Sequence, residues 1–301
     1  MPDYDMPLWR PPSEGDNLII QATLGCRFNR CTFCSMYKTK IYVERSLDAV
    51  RADIDRASRL WPQAHRVFLA DGDAYGLPTA TLLALAAHLR ERFAALQRIT
   101  AYATPFNLLS KGVDEIEELR RARLTLVYLG IESGSERLLR AVGKGSVRQM
   151  EAALARSRYG GLKVSATVIL GLGGRAHGQE HIEATAELIN RQPPKYLSTL
   201  HLMLAPEIAS NFRAGFAERM GEAFEPADDR DMLAELHRLI ECLNPPAPVI
   251  FRSNHASNAL PLAGNLPRDR DRLLAEISDV MGGAMGGANR QLLRPRWLRS
   301  L

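Results

Sequence analysis

Short apolar segments alternate with helical patterns along the first two thirds of the chain, and this alternation constrains the fold most strongly. Each apolar segment is rich in large and β-branched residues, which is typical of buried strands. The predicted strands are Leu18–Leu24, Arg66–Ala70, Arg98–Ala103, Thr125–Ile131, Lys163–Leu170 and Leu197–Leu204. The helical patterns between them are Ser46–Leu60, Thr79–Phe93, Asp114–Arg121, Ser135–Val142, Val147–Tyr159 and Gln179–Asn190. Strand–helix units in succession predict an α/β fold with parallel strands, as an open barrel or an open wound sheet.

Local signals mark the ends of several helices and a change of pattern after Pro206. Ser46 and Thr79 are predicted N-caps, and Gly160-Gly161 is a predicted C-cap. Further on we expect a helix, a short strand, a second helix and a flexible turn, at Asp228–Leu243, Val249–Phe251, Arg268–Met281 and Gly282–Gly287. The chain has 301 residues, a length that α/β barrels reach as one domain.

The composition is that of a globular protein with a large core, with 46% hydrophobic and 24% charged residues. The sequence has no apolar run of membrane-spanning length and no signal-peptide pattern, so we expect a cytoplasmic protein without a membrane partner. The formal net charge is +5. Part of this excess forms a predicted solvated basic tail, and no aromatic stacking platform accompanies it, so nucleic acid is not indicated. Its arginines are Arg290, Arg294, Arg296 and Arg299.

Three of the four cysteines, Cys26, Cys31 and Cys34, lie in one short segment directly after the first predicted strand. Three thiolates can hold three corners of a [4Fe–4S] cluster and leave one iron open to a small molecule. A structural zinc site needs four ligands, and the segment has no fourth cysteine or histidine. A C-x-x-C redox pair would use only Cys31 and Cys34. The fourth cysteine, Cys242, is predicted to be a buried apolar residue.

Charged residues follow two other predicted strands. The second strand is followed by Asp71-Gly72-Asp73, in which a glycine lets backbone approach a ligand and the carboxylates suit an ammonium group. The fourth strand leads into Glu132 and Ser133, and Lys144 follows a short helix. A carboxylate can accept from ribose hydroxyls, and a lysine suits a carboxylate. Because ligands bind at the carboxyl ends of parallel strands, these residues are candidates for one site.

Together these motifs resemble the radical S-adenosylmethionine (radical SAM) family. That family usually has C-x3-C-x2-C after the first strand of a partial (β/α)6 barrel, and this chain has the longer C-x4-C-x2-C. The segment Gly130-Ile131-Glu132-Ser133-Gly134-Ser135 with Lys144-Gly145 is similar to one in methylthiotransferases, oxygen-independent coproporphyrinogen oxidases and Elongator-like proteins. The resemblance implies a core barrel over 17–205, an N-terminal extension over 1–16, and an α/β extension over 206–301 packed on the barrel.

The resemblance also implies a function. Cys26, Cys31 and Cys34 would bind a [4Fe–4S] cluster that reductively cleaves SAM, and the 5′-deoxyadenosyl radical would abstract hydrogen from a small-molecule substrate. An electron donor of the flavodoxin or ferredoxin type would reduce the cluster. Residues with implied SAM contacts are Phe33 through its backbone, Asp71, Gly72, Asp73, Glu132, Ser133, Lys144, and Thr167 in the fifth strand.

Polar residues near the later strands supply substrate candidates and an alternative chemistry. His201 on the sixth strand, and Arg252, Asn254 and His255 after the next one, are predicted substrate contacts. The run His177-Gly178-Gln179-Glu180-His181 fits the H-x-x-E-H pattern of some zinc peptidases. We interpret this match as chance, with its residues on a solvated face at the start of a helix. A zinc hydrolase, a redox protein and a non-catalytic iron–sulfur protein remain alternatives.

Overall fold

The computed structural model describes residues 2–283 and 293–300. The chain divides into two compact units. The first consists of Met1–Asn29, Met36–Leu129 and Ala152–Val164, and the second of Arg30–Ser35, Gly130–Glu151 and Ser165–Leu301.

The strands are Leu18–Gln21 (β1), Thr23–Leu24 (β2), Val43–Glu44 (β3), Arg66–Ala70 (β4), Arg98–Ala103 (β5), Leu124–Glu132 (β6), Lys163–Leu170 (β7), Tyr196–His201 (β8), Val249–Arg252 (β9) and Ala263–Leu266 (β10). The helices are Leu47–Leu60 (α1), Thr79–Arg92 (α2), Pro105–Leu109 (α3), Val113–Arg121 (α4), Glu136–Ala141 (α5), Val147–Tyr159 (α6), Gly174–Arg191 (α7), Pro206–Met220 (α8), Asp229–Cys242 (α9) and Arg270–Gly283 (α10). The predicted α/β class, with strands and helices in alternation, is confirmed.

In the first unit, parallel strands run in the order β1, β4, β5 and β6. Helices connect these strands, as parallel pairing requires. Their buried side chains include Ile20, Phe68 and Ile99. A small antiparallel pair, β2 with β3, lies apart from the parallel strands. The strand β6 continues past Leu129 into the second unit.

In the second unit, β7, β8 and β9 are parallel and β10 pairs antiparallel with β9. The helices α7 and α9 pack together. A buried apolar cluster, called the α5–α8 cluster here, includes Leu138 and Val142 near α5, Ile169 on β7, and Phe212 and Phe216 on α8.

The structure corrects several predicted bounds. The first predicted strand is split, because the chain leaves the parallel sheet after Gln21 and pairs Thr23–Leu24 with β3. The sixth predicted strand ends at His201, and Leu202 and Leu204 pack against the α5–α8 cluster instead. The predicted strand Val249–Phe251 corresponds to β9, and the strand β10 that follows it was not predicted.

Helix signals were partly right. The Ser46 hydroxyl caps α1 by accepting from the Ala49 N–H at 3.3 Å, and Gly161 ends α6 with a positive φ of 66°. The predicted cap at Thr79 is wrong: Pro78 takes the N-cap position and makes no side-chain capping bond. The helix α8 was missed, although a proline at its first turn and a left-handed Gly221 at its end were available signals.

The C-terminal region also differs from expectation. The helix α10 extends to Gly283, where a turn was predicted, and residues 284–287 lie outside the described part. Arg290 also lies outside it. Arg299 is not solvated: its side chain is 8% exposed and pairs with Asp229 at 2.6 Å. Arg294 donates to the His255 carbonyl at 2.7 Å, so the basic tail is anchored at these residues.

None of the helices in the described ranges is long and apolar enough to cross a membrane. Cys242 is the last residue of α9 and is half-buried rather than buried.

Candidate functional site

The second unit joins Glu132 and Lys144 in a largely buried ion pair. Lys144 Nζ lies 2.9 Å from Glu132 Oε1, and the two side chains are 15% and 8% exposed. Glu132 ends β6 with a φ of 65°, a left-handed conformation that non-glycine residues rarely adopt. A side chain at Gly130 would place its Cβ 1.9 Å from Glu132 Oε1 and 2.9 Å from Lys144 Nζ. Glycine at 130 therefore leaves the space in which the pair forms.

The turn that ends α5 sets the position of Lys144. Gly143 is left-handed, with a φ of 70°, and the Lys144 N–H donates back to the Leu139 carbonyl at 2.8 Å. This is how helices commonly end at a glycine. A Cβ on Gly143 would also lie 2.9 Å from the Arg30 carbonyl oxygen. Glycine at 143 therefore allows the backbone just before Cys31 to approach this turn closely.

The segment with Cys31 and Cys34 is attached to the same turn. The Thr32 N–H donates to the Val142 carbonyl at 3.0 Å, and the Cys34 N–H donates to the Cys31 carbonyl at 3.4 Å. Phe33 packs its side chain against the α5–α8 cluster. Cys31 is buried and Cys34 is half-buried. The loop backbone is thus fixed by α5 on one side and by Phe33 on the other.

Electrostatics connect this pair with the two cysteines. Burial alone would lower the pKa of Lys144, but Glu132 and the sulfurs of Cys31 and Cys34 together raise it above its ordinary value. Lys144 is therefore a cation at neutral pH. A neighbouring cation favours the thiolate form of cysteine, which is the form that binds iron.

The first unit holds Cys26 beside a second lysine–carboxylate pair. Asp71 Oδ2 accepts from the Gly25 N–H at 3.0 Å and lies 3.1 Å from Lys40 Nζ. The Gly72 N–H returns a bond to the Gly25 carbonyl at 3.1 Å, and Gly25 has a φ of 68°. These bonds fix the residue that immediately precedes Cys26.

Asp71 is fully buried, and burial raises its pKa, while its bonds from Gly25, Lys40 and Gln21 oppose that shift. Its other oxygen, Oδ1, is buried and has no hydrogen-bond partner in the described part of the chain. An unpaired acceptor of this kind costs free energy unless a donor reaches it. Asp71 Oδ1 is therefore an acceptor that suits an ammonium group at this position.

Gly72 and Asp73 are both packed closely. A Cβ on Gly72 would lie 2.6 Å from the Tyr37 ring and 2.9 Å from the Cys26 Cβ, so only glycine fits beside that cysteine. Asp73 is buried, and burial raises its pKa to about 6 against the opposing bond from Asn107. Sequence reasoning missed Lys40 and Gln21, because their contacts with Asp71 join distant parts of the chain.

Ser133 and the second histidine of the H-x-x-E-H run are bonded to each other. His181 is fully buried, donates from Nε2 to the Ile169 carbonyl at 2.9 Å, and accepts at Nδ1 from the Ser133 hydroxyl at 2.7 Å. Burial lowers the pKa of His181 to about 4, so the ring is neutral at pH 7. Both ring nitrogens are occupied, Nδ1 by the Ser133 hydroxyl and Nε2 by the Ile169 carbonyl.

The predicted solvated face for that run is wrong for its two histidines, which are buried, whereas Gln179 and Glu180 are exposed. The helix α7 begins at Gly174, so His177 and Gly178 lie inside it, and His177 is buried with Nε2 2.7 Å from Glu222. The Glu180 carboxylate accepts from Ser135 at 2.7 Å. His177 Nδ1 also lies 3.8 Å from Glu180 Oε2, but the hydrogen-bond partners of His177, Glu180 and His181 are all different.

Within residues 2–283 and 293–300, no group of three or more His, Cys, Asp or Glu side chains is arranged to hold a metal ion. The gathering of the three cysteines round one cluster remains a prediction from their spacing.

The strand register separates the predicted substrate contacts. Thr167 pairs with Ser198 and Ser198 pairs with Arg252, so these residues share one face of the sheet. His201 lies three residues beyond Ser198 and therefore points to the opposite face. It is buried there, where burial and Arg299 lower its pKa to about 4.

The loop after β9 contains the other two candidates. Asn254 is exposed, and His255 is half-buried with Nδ1 2.9 Å from the Ser257 hydroxyl. Burial and Arg294 lower the pKa of His255. The bond between His255 and Ser257 is local, as expected for a turn.

Comparisons with known proteins cover more than half of the chain. The radical SAM superfamily model matches residues 20–189. Among solved structures, coproporphyrinogen III oxidase (HemN) from Escherichia coli, described as a radical SAM enzyme, is 20% identical with a TM-score of 0.57, covering 75% of this chain and 52% of that one. Methylornithine synthase (PylB) is 15% identical with a TM-score of 0.51, covering 77% of this chain and 64% of that one.

HydG, a maturase of the [FeFe]-hydrogenase, is 14% identical with a TM-score of 0.51, covering 78% of this chain and 52% of that one. At these identities the likeness concerns the fold, which confirms the predicted radical-SAM-type barrel class. The chain spans about half the length of the coproporphyrinogen oxidase. Curated proteins gave no match.

Proposed function

Because the chain belongs to the radical SAM superfamily, whose enzymes bind a [4Fe–4S] cluster and SAM, we propose that Cys26, Cys31 and Cys34 hold such a cluster. When bound, the cluster supplies the electron that cleaves SAM to a 5′-deoxyadenosyl radical, which abstracts hydrogen from a small-molecule substrate. An electron donor of the flavodoxin or ferredoxin type would reduce it.

The observation that carries this proposal is the Glu132–Lys144 pair, which lies near Cys31 and Cys34. In the proposed complex, Lys144 binds the carboxylate of SAM, and Glu132 accepts from its ribose hydroxyls. A lysine that is already charged and positioned loses little conformational freedom when it binds a carboxylate. Glu132 holds Lys144 in place until the ligand arrives.

On the first unit's residues, Asp71 Oδ1 would accept from the SAM ammonium, since this buried oxygen has no partner in the described ranges. Gly72 and Asp73 would border that group. Thr167 and the backbone of Phe33 complete the proposed SAM contacts. Ser133 acts indirectly in this scheme, because its hydroxyl is used by His181 behind the end of β6.

We also propose that residues 17–205 form the catalytic core, with extensions over 1–16 and 206–301. His201, Asn254 and His255 remain proposed substrate contacts, as does Arg252. Whether the net reaction is an oxidation or a group transfer depends on that substrate. A cytoplasmic location remains a prediction from the sequence.

Anaerobic reconstitution with iron and sulfide tests the proposal. We expect a brown protein that forms 5′-deoxyadenosine from SAM when dithionite is added, as measured by liquid chromatography. Cys31→Ala should abolish both the cluster and the product, and His177→Ala should preserve both. A colourless protein, or a brown protein that leaves SAM intact, would contradict it.

A further inference from the structure

A row of polar side chains crosses β7, β8 and β9 on one face of the second unit's sheet. The Cα partners are Thr167 with Ser198 and Ser198 with Arg252. Register partners in adjacent parallel strands point to the same side, so the two hydroxyls and the guanidinium project together. All three residues are half-buried, which leaves each of them accessible to a small ligand.

The same face leads toward the cysteine segment. Ile169 lies two residues beyond Thr167 on β7, so it shares that face, and it belongs to the α5–α8 cluster. Phe33, the neighbour of Cys34, packs against this cluster. The polar row therefore lies on the same face of β7 as Ile169, a member of the cluster that Phe33 packs against.

The opposite face of these strands has a different character. Leu170 and His201 are register partners on that side, and both are buried. The His201 N–H is held by the Ser257 hydroxyl at 3.1 Å and by Asn258 Oδ1 at 2.9 Å. The residues of the polar row are therefore more exposed than Leu170 and His201.

Arg252 has unused binding capacity. Among the described residues no carboxylate pairs with it, and its Nη1 donates to the neighbouring Phe251 carbonyl at 2.8 Å. The Thr167 and Ser198 hydroxyls make no hydrogen bond within the described ranges either. A guanidinium has five N–H donors in a planar fork that matches a carboxylate. One arginine balances a single negative charge, whereas a phosphate dianion would need a second cation.

We propose that Arg252, with the hydroxyl of Ser198, binds the carboxylate of a small-molecule substrate, while Thr167 on the same face remains the proposed SAM contact. This inference rests on the proposed function, because it supplies the substrate class for the same enzyme. Arg252 is then a specificity-determining residue that fixes one end of the substrate, and it takes no part in SAM cleavage.

The test uses the reconstituted protein, SAM, dithionite and a panel of amino, aliphatic and aromatic acids, each beside its methyl ester. The readout is 5′-deoxyadenosine formation with and without each compound. We expect some acids to accelerate formation and their esters to act at least ~10-fold more weakly, since a charge-assisted hydrogen bond is lost.

Variants locate that effect. Arg252→Gln should lose the response to acids by roughly 10- to 100-fold. The matched control is Arg230→Gln, at an exposed arginine, and it should respond like the wild type.

A panel in which esters equal acids, or an Arg252→Gln variant that keeps the full response, would overturn the inference. Absence of basal 5′-deoxyadenosine from the wild type would instead count against the proposed function.

Discussion

Each unit contains a lysine–carboxylate pair beside a cysteine-bearing segment, and the two pairs differ in what surrounds them. Asp71 and Lys40 are 0% and 5% exposed, and Asp71 Oδ2 also accepts from Gln21 and from the Gly25 N–H. Glu132 and Lys144 are 8% and 15% exposed, and Glu132 has Lys144 as its single partner among the described contacts. The first pair is buried and has several partners, whereas the second pair is more exposed and has fewer partners.

This difference in surroundings indicates different roles for the two pairs, although in the sequence each is simply a carboxylate and a lysine. A buried carboxylate with several donors fixes backbone, because removing it leaves those donors unsatisfied. A pair with few other bonds can exchange its partner for a ligand that brings the opposite charge, because no buried charge is then left unpaired. We therefore assign Asp71 mainly to bracing the start of the cysteine loop, with one free oxygen for SAM, and Lys144 to holding SAM itself.

Asp71→Ala should have the largest effect on stability. The change leaves Lys40 and the Gly25 N–H without their acceptor, so we expect the free energy of unfolding to fall by roughly 3 kcal/mol. Urea unfolding followed by circular dichroism measures this. The control is Asp5→Ala, because Asp5 also pairs with Lys40 but is 51% exposed, and it should cost less than ~1 kcal/mol. Equal losses of unfolding free energy in the two variants would mean that the buried Asp71 stabilises the fold no more than the exposed Asp5 does.

Glu132→Gln should lower activity strongly and lower stability by less than Asp71→Ala does. The variant keeps the shape of the side chain and loses the charge that holds Lys144, so 5′-deoxyadenosine formation at low SAM concentration should fall roughly 10- to 100-fold. The free energy of unfolding should fall by less than in Asp71→Ala, because the Glu132 side chain has one described partner and Asp71 has three. Glu151→Gln, at a half-buried partner of Arg191, should change neither activity nor stability. A Glu132→Gln variant with full activity would refute the assigned role.

Two glycine substitutions test the same contrast by steric means. Gly72→Ala forces a Cβ to within 2.9 Å of the Cys26 Cβ, so the iron content after reconstitution should drop several-fold. Gly130→Ala forces a Cβ to within 1.9 Å of Glu132 Oε1, so iron should be retained and SAM affinity lost. Iron assays and equilibrium dialysis with SAM measure the two quantities. The reverse pattern would mean that the two regions have exchanged roles.

His181 should produce a smaller, pH-dependent effect. Burial lowers its pKa to about 4 from an unfolded value near 6.5, so between these pH values the unfolded chain binds more protons and stability falls as pH falls. His181→Gln should flatten the pH dependence of the unfolding free energy in that window. His201 contributes similarly, so part of the slope should remain. A slope unchanged by His181→Gln would contradict a buried, neutral ring.

The sequence predicted the features that depend on local pattern. Alternating strands and helices, the Ser46 cap and the Gly161 helix end are confirmed, because short-range sterics and hydrogen bonding decide them. The predicted proximity of Glu132 and Lys144 also appears in the structure, because a single short helix separates the two residues.

Features that depend on long-range packing were not predictable in the same way. Lys40 reaches Asp71 across 31 positions, and His181 reaches Ser133 across 48. No local pattern reports which face of β8 is buried, so His201 was grouped with Arg252 although the register puts them on opposite faces. The helix α8 was not predicted, although Pro206 in its first turn and the left-handed Gly221 mark its two ends.

The most direct test compares SAM binding to two reconstituted variants, Lys144→Met and Lys40→Met, by equilibrium dialysis under anaerobic conditions. Methionine keeps the length of each side chain and removes its charge. We expect Lys144→Met to bind SAM roughly 10- to 100-fold more weakly than the wild type. We expect the SAM affinity of Lys40→Met, corrected for its folded fraction, to be within about 3-fold of the wild-type value. Loss of the charge at position 40 leaves Lys144 unchanged. Unchanged SAM affinity in Lys144→Met would contradict the central claim that the accessible pair beside Cys31 and Cys34 holds SAM.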